Sequence, residues 1–326
     1  MTPLALYGVN PQAAIEAIRN RRASATSGVG AADGRKLGLI IEGGGLRGVS
    51  SAGGVVALAQ FGYCDVFDEV YATSSGVMNA SYFISNQPVL GIRVYFEHCT
   101  RREFINPLRF WKVLNVDYIF DEVVSRDKRL DVDRVLGSRS HLFVAVIDKD
   151  NGEAFMVDTR TTRTPLLQVL KAATAIPVLY NRTIDIDGRP CMDGGLGIPF
   201  PLQQALDRGC TDVLVLTTRP ATYVRPRPGW LGCLMFDWTC AQGRAGLNRT
   251  FAARHLRSRE ARDLAFGRIK VQPGVNIATI CTDATDMVGR LSTDRKRLHA
   301  AAEGYGRKTL EIFGIDGQGW SIPPNV

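Results

Sequence analysis

Histidine is scarce in this chain, with four in 326 residues, at positions 98, 141, 255 and 299. A hydrolase built on a Ser-Asp-His triad needs its histidine in a late loop after the acid. His255 falls within an arginine-rich helical stretch and His299 inside a long C-terminal helix, so both read as surface or packing residues. The seven cysteines (64, 99, 191, 210, 233, 240 and 281) are odd in number and scattered, with no CxxC and no paired metal spacing. Buried thiols in a reducing compartment are expected, with no metal and no cofactor. No segment reaches the length of a membrane span, and no basic stretch followed by an apolar run opens the chain. Neither a transmembrane segment nor a secretory signal is expected, which points to the cytoplasm. G-K-[ST] is absent as well, and this excludes a P-loop NTPase on its own motif.

What is present is ordinary for a globular protein, with 45% hydrophobic and 22% charged residues and enough length for a large core. The net charge of +8 is localised. Between Arg219 and Lys270 lie ten arginines and one lysine against only Asp237, Glu260 and Asp263, so the rest of the chain is balanced. Such a patch attracts polyanions, whether phospholipid headgroups or nucleic acid; alternatively, it is a solvated helix face. The run Trp230-Leu231-Gly232-Cys233-Leu234-Met235-Phe236-Asp237-Trp238 inside it suits either a membrane interface or buried core.

Apolar runs alternate with helical patterns from Lys36 onward, which predicts a mostly parallel sheet covered by helices on both faces. Residues 11–22 look like a short helix followed by a Ser/Gly/Ala linker at 23–34, an appendage to a domain that begins near Arg35. Residues 87–140 read as mixed helices and loops, and His141–Asp158 as a hairpin around Asp150-Asn151-Gly152. Thr293–Phe313 reads as a long helix interrupted by Gly304 and Gly306.

Three short motifs carry chemistry. Asp68–Ala80 reads as a strand that breaks abruptly into a helix at Ser74, with Ala72 and Gly76 flanking the break. A serine there stands at a helix N-terminus, either as a nucleophile or as a simple cap. Gly43, Gly45 and Gly48 spell G-x-G-x-x-G directly after a strand, as in a dinucleotide site. However, the second strand ends in Thr73-Ser74-Ser75-Gly76, where the ribose-binding acid would have to be. What remains is a row of glycine N–H groups beside Arg47, suited to a smaller anion such as a developing oxyanion. Asp193-Gly194-Gly195 follows an apparent strand; by itself it is a common turn sequence.

Together the three motifs resemble the patatin-like phospholipase family. Its glycine-rich motif G-G-G-x-[KR]-G is matched by Gly43-Gly44-Gly45-Leu46-Arg47-Gly48, its G-x-S-x-G elbow by Ala72-Thr73-Ser74-Ser75-Gly76, and its D-G-[GA] motif by Asp193-Gly194-Gly195. The resemblance implies a single three-layer α/β/α domain over residues 36–316, preceded by the helix and linker at 1–35 and followed by a tail at 317–326. It also implies a lipid acyl hydrolase with Ser74 as nucleophile, Asp193 as its base and Gly43, Gly44 and Gly45 as oxyanion donors. Arg47, Gly48, Gly76 and Gly194 would support them. The partners implied are a lipid ester substrate and the surface of an anionic membrane, met through residues 219–270; no nucleic acid is expected. Transfer of the acyl group to an alcohol would use the same residues. The departure is Ala72, which stands where the family has glycine. If that position needs a positive φ, alanine strains the elbow by roughly 1 kcal/mol, and a silent lipid-binding protein becomes the alternative.

Overall fold

Apolar runs without polar alternation cannot leave either face in water, and the protein buries its central strands on both sides. The computed structural model describes residues 5–26, 34–109 and 112–324. Among these, the strands are β1 (Tyr7–Val9), β2 (Leu37–Ile41), β3 (Glu69–Thr73), β4 (His141–Asp148), β5 (Ala154–Asp158), β6 (Ile184–Ile186), β7 (Arg189–Asp193), β8 (Asp212–Leu216) and β9 (Asn276–Ile280). They form one sheet in the order β1-β9-β8-β2-β3-β4-β7-β6, with β5 also paired to β4. The five central strands from β9 to β4 are parallel, and the outer ones join antiparallel. Every residue of β2, β3 and β8 is buried.

The helices are α1 (Pro11–Thr26), α2 (Gly48–Gln60), α3 (Gly76–Ile84), α4 (Pro88–Arg93), α5 (Val132–Gly137), α6 (Leu166–Ala173), α7 (Leu202–Asp207), α8 (Trp230–Phe236), α9 (Ala245–Ala265) and α10 (Arg295–Ile312). Strand alternation divides the core between the two faces. Leu39, Ile41, Val70 and Ala72 pack with residues of α1, α2, α3 and α10. Ile40 and Tyr71 point the other way, toward α7 and the end of α9. The architecture is therefore three-layer α/β/α, with a sheet that is parallel through its centre.

Three expectations need correction. The N-terminal segment is no appendage, because β1 pairs with β9 and α1 buries Ala14, Ile15, Ala17 and Ile18 in the main core. Arg21 of α1 also pairs with Asp68, whose Oδ2 accepts the Leu37 N–H at 2.8 Å. The linker expected at 23–34 lies for the most part outside the described residues. The second correction concerns α10, which runs unbroken through Gly304 and Gly306. Gly306 is a docking point, since a Cβ there would lie 2.1 Å from the Trp320 ring. Third, the tail is held by that same Trp320, whose indole N–H donates to Gln60 Oε1.

Candidate active site

The turn from β3 into α3 requires one residue to reverse the chain, and that residue is Ser74, in the left-handed region at φ 55°. A non-glycine residue there costs on the order of 1 kcal/mol and persists only where surrounding packing enforces it. Glycines supply that packing. A Cβ on Gly76 would come within 2.5 Å of the Ile41 carbonyl oxygen, and one on Gly43 within 2.3 Å of the Thr73 carbonyl oxygen. The strain expected at Ala72 is not found. Ala72 lies inside β3, fully buried, and is not among the residues at positive φ.

The carboxylate reaches the serine through strand register. Along β4, β5 occupies one side over Phe143–Ile147, so β3 and β7 must share the other. Thr73 pairs with Ala145, and Asp193 pairs with the next residue, Val146. Asp193 therefore begins where β3 ends, directly beside Ser74. Ser74 Oγ donates to Asp193 Oδ2 at 2.6 Å, and the Gly195 N–H donates to Oδ1 at 2.8 Å. Gly194 lets this corner approach β4, since a Cβ there would meet the Ala145 carbonyl carbon at 2.5 Å. Both side chains are buried. Burial raises the Asp193 pKa, opposed by the bonds from Ser74 and Gly195 and by the charges of Arg290 and Arg225.

The glycine loop lies against this pair. The Gly44 N–H donates to Ser75 Oγ at 3.0 Å, and the Leu46 N–H to the Arg290 carbonyl at 2.9 Å. Gly48 sits tightly against Ser75 and Tyr95. Arg47 does not brace the loop through its Nε, which is buried without a partner.

The patatin-like phospholipase family model matches residues 39–206, more than half of the chain. The chain belongs to that family. A protein named YjjU, from Escherichia coli K12 and described as uncharacterized, is 30% identical over 212 residues. That match covers 60% of this chain and 57% of YjjU, so the chain spans little more than half of that relative's length. The crystal structure of VipD from Legionella pneumophila overlays with a TM-score of 0.45 at 14% identity, covering 86% of this chain and 66% of VipD.

In this patatin-like chain two cavities meet at Ser74. One, of about 290 Å³, is lined by the glycine loop, Asp193, Tyr223, Phe236, Phe251 and five arginines: 47, 219, 225, 254 and 290. The other, of about 70 Å³, is apolar and lies between α3 and the 87–140 region, with Met78, Val94, Leu114, Val116, Ile119 and Phe120 among its walls. Gly45, Ser74, Ile176 and Arg290 border both. No histidine lines either. His98 and His141 pair with Asp127 and Asp158, while His299 stacks on Phe96.

Sequence reasoning missed the apolar wall, because residues 94–120 mix aromatics with charges and show no clean period. It also missed Arg290, which has no motif around it. The arginine excess between 219 and 270 did signal Arg219, Arg225 and Arg254, without placing them at the site. Within the same region the buried reading of 230–238 fails, since Trp230 and Trp238 are each 80% exposed and only Phe236 is buried.

Proposed function

We propose that the chain is a serine acyl hydrolase of lipid esters, with Ser74 as nucleophile and Asp193 as its base. The observation that supports this most is a hydroxyl 2.6 Å from a buried carboxylate, at the meeting point of a polar and an apolar cavity. The apolar cavity would take the acyl chain. Ser74 Oγ attacks the ester carbonyl while its proton passes to Asp193 Oδ2. The tetrahedral oxyanion is met by N–H groups of the glycine loop. Gly44 currently donates to Ser75 Oγ, so it must exchange that bond, or Gly43 and Gly45 supply the donors. Asp193 then returns the proton to the leaving alkoxide as the acyl-enzyme forms. Water, deprotonated by Asp193, attacks the acyl-enzyme, Ser74 is reprotonated, and the fatty acid is released.

A raised carboxylate pKa makes Asp193 a better base at neutral pH than an exposed carboxylate. Among the described residues no helix is long and apolar enough to cross a membrane. Lipid would instead be reached from the surface. α8 presents Trp230, Leu231, Leu234 and Met235 to solvent, while its Phe236 lines the arginine cavity. An exposed apolar face beside the cavity suits peripheral seating on a membrane.

A fluorophosphonate probe tests the assignment. Labelling should map to Ser74 and disappear in Ser74→Ala, and Asp193→Asn should lower hydrolysis of a chromogenic acyl ester by at least roughly a hundredfold. Full activity in either variant would remove this reading.

A further inference from the structure

Arginine is normally paired when the fold takes it out of water, and two arginines away from Ser74 follow that rule, although Arg262, 3% exposed, donates only to the Pro220 carbonyl. Arg21, 2% exposed, meets Asp68, and Arg208 meets Glu69. The cavity beside Ser74 breaks it. Among the described residues, none of Arg47, Arg219, Arg225, Arg254 and Arg290 has a carboxylate within ion-pair distance, although Arg219 is buried, Arg47, Arg225 and Arg254 are half-buried and only Arg290 is exposed. Arg219 is only 8% exposed, and the Nε atoms of Arg47 and Arg225 are buried without any partner. The two acids in the wall are already engaged. Glu42 Oε2 accepts the Thr218 N–H at 2.7 Å, and Asp193 holds Ser74 and Gly195. Five cations thus face two committed carboxylates. Burial and mutual repulsion, chiefly from Arg219 and Arg290, lower the Arg47 pKa to about 10. Uncompensated charge of this kind is costly and persists where a ligand supplies the missing anion.

The shape of the site limits what that anion can be. The arginines line a half-open cavity of about 290 Å³ rather than a flat stripe, which suits a compact group. Two of the cavity's rings, Tyr223 and Phe251, already carry a guanidinium. The Arg219 guanidinium lies 3.7 Å from the Tyr223 ring centre, Arg254 lies 3.7 Å from that of Phe251, and Phe236 stacks on Phe251 at 3.9 Å. A choline headgroup would meet like charge. A phosphate monoester, with close to two negative charges and several acceptor oxygens, matches guanidinium geometry.

We propose that this cavity is the headgroup subsite for a lipid ending in a phosphate monoester, a phosphatidate or its lyso form, held there while its acyl ester lies at Ser74 and its chain enters the apolar cavity. The assignment rests on the acyl-hydrolase reading, and it adds a charge selection that the Ser74-Asp193 pair does not itself impose.

The test compares 1-oleoyl lysophosphatidate with 1-oleoyl lysophosphatidylcholine in neutral mixed micelles, for wild type and for Arg225→Gln/Arg254→Gln. Wild type should favour the lysophosphatidate by roughly tenfold or more in kcat/KM, expressed mainly in KM. The double variant should bring the ratio toward one. Arg254→Gln alone serves if the double variant fails to fold. Equal rates on both lipids, unchanged by the substitutions while Ser74 still labels, would overturn the subsite and leave the hydrolase standing. In parallel, glycerol 3-phosphate and inorganic phosphate are titrated calorimetrically into Ser74→Ala. Tighter binding of glycerol 3-phosphate, lost on adding the arginine substitutions, upholds a headgroup site. Equal binding of inorganic phosphate with no lipid preference makes this a free-phosphate site and overturns the proposal. If no ester is hydrolysed and no probe reacts, the hydrolase reading fails, and the titration then decides the subsite alone: loss of binding with the arginines upholds it, and no binding in Ser74→Ala overturns it.

Discussion

At the scale of single residues, the proposed mechanism makes one buried carboxylate set the pH behaviour. Asp193 must be ionised to take the Ser74 proton, and burial raises its pKa, so activity should rise with pH through that raised value. Arg290 favours the ionised form, although its side chain is exposed and its pull is partly screened. Removing the positive charge stabilises the neutral acid relative to the carboxylate. Arg290→Gln is therefore expected to move the acid limb of the pH-rate profile to higher pH. The profile should be measured on a short neutral ester, so that headgroup binding does not enter; a limb that stays put or moves down would contradict the assigned base. The elbow at Ser74 and the turn at Asp193 each have a local signature, and the structure brings the two side chains together. Arg290 has no such signature, since its role comes from a loop that reaches the site only in the folded chain. The worry over Ala72 misplaced the strain by two residues, as the left-handed backbone belongs to Ser74 itself.

Single elements explain more of what was and was not readable. The β-strands announced themselves through apolar runs from Lys36 onward, where β2 starts at Leu37. Helix α10 was misjudged because glycine weakens an isolated helix, whereas here Gly306 makes room for Trp320, and Gly53 of α2 makes room for the Ala302 carbonyl, 2.0 Å from where its Cβ would be. Such close approaches are tertiary facts with no local trace. Helix α8 and the turn that follows it carry their own prediction. Replacing Trp230 and Trp238, both 80% exposed, by serine should lower hydrolysis of vesicle lipid relative to a monomeric short-chain ester by roughly tenfold. An unchanged ratio would mean that this face does not meet lipid.

For the molecule as a whole, the family match ends at residue 206, yet the site depends on residues past that point. The arginine cavity draws Arg219, Arg225, Arg254 and Arg290 from the C-terminal third of the chain. The overall class, alternating strands and helices in three layers, was readable because burial on both faces leaves a compositional mark. The incorporation of β1 and α1 was not, since pairing with β9 joins the two ends of the chain, and nothing in either end alone specifies the other.

The hydrogen bond from the Leu46 N–H to the Arg290 carbonyl has a temporal meaning. Ribosomes deliver the glycine loop early and its fastening late, so a growing polypeptide carries Ser74 long before the loop beside it can be secured. Stalled nascent chains ending short of Arg290 should stay unreactive toward the fluorophosphonate, and chains released at full length should react. On the proposed reading, hydrolytic competence would come only once the chain through Arg290 has been made.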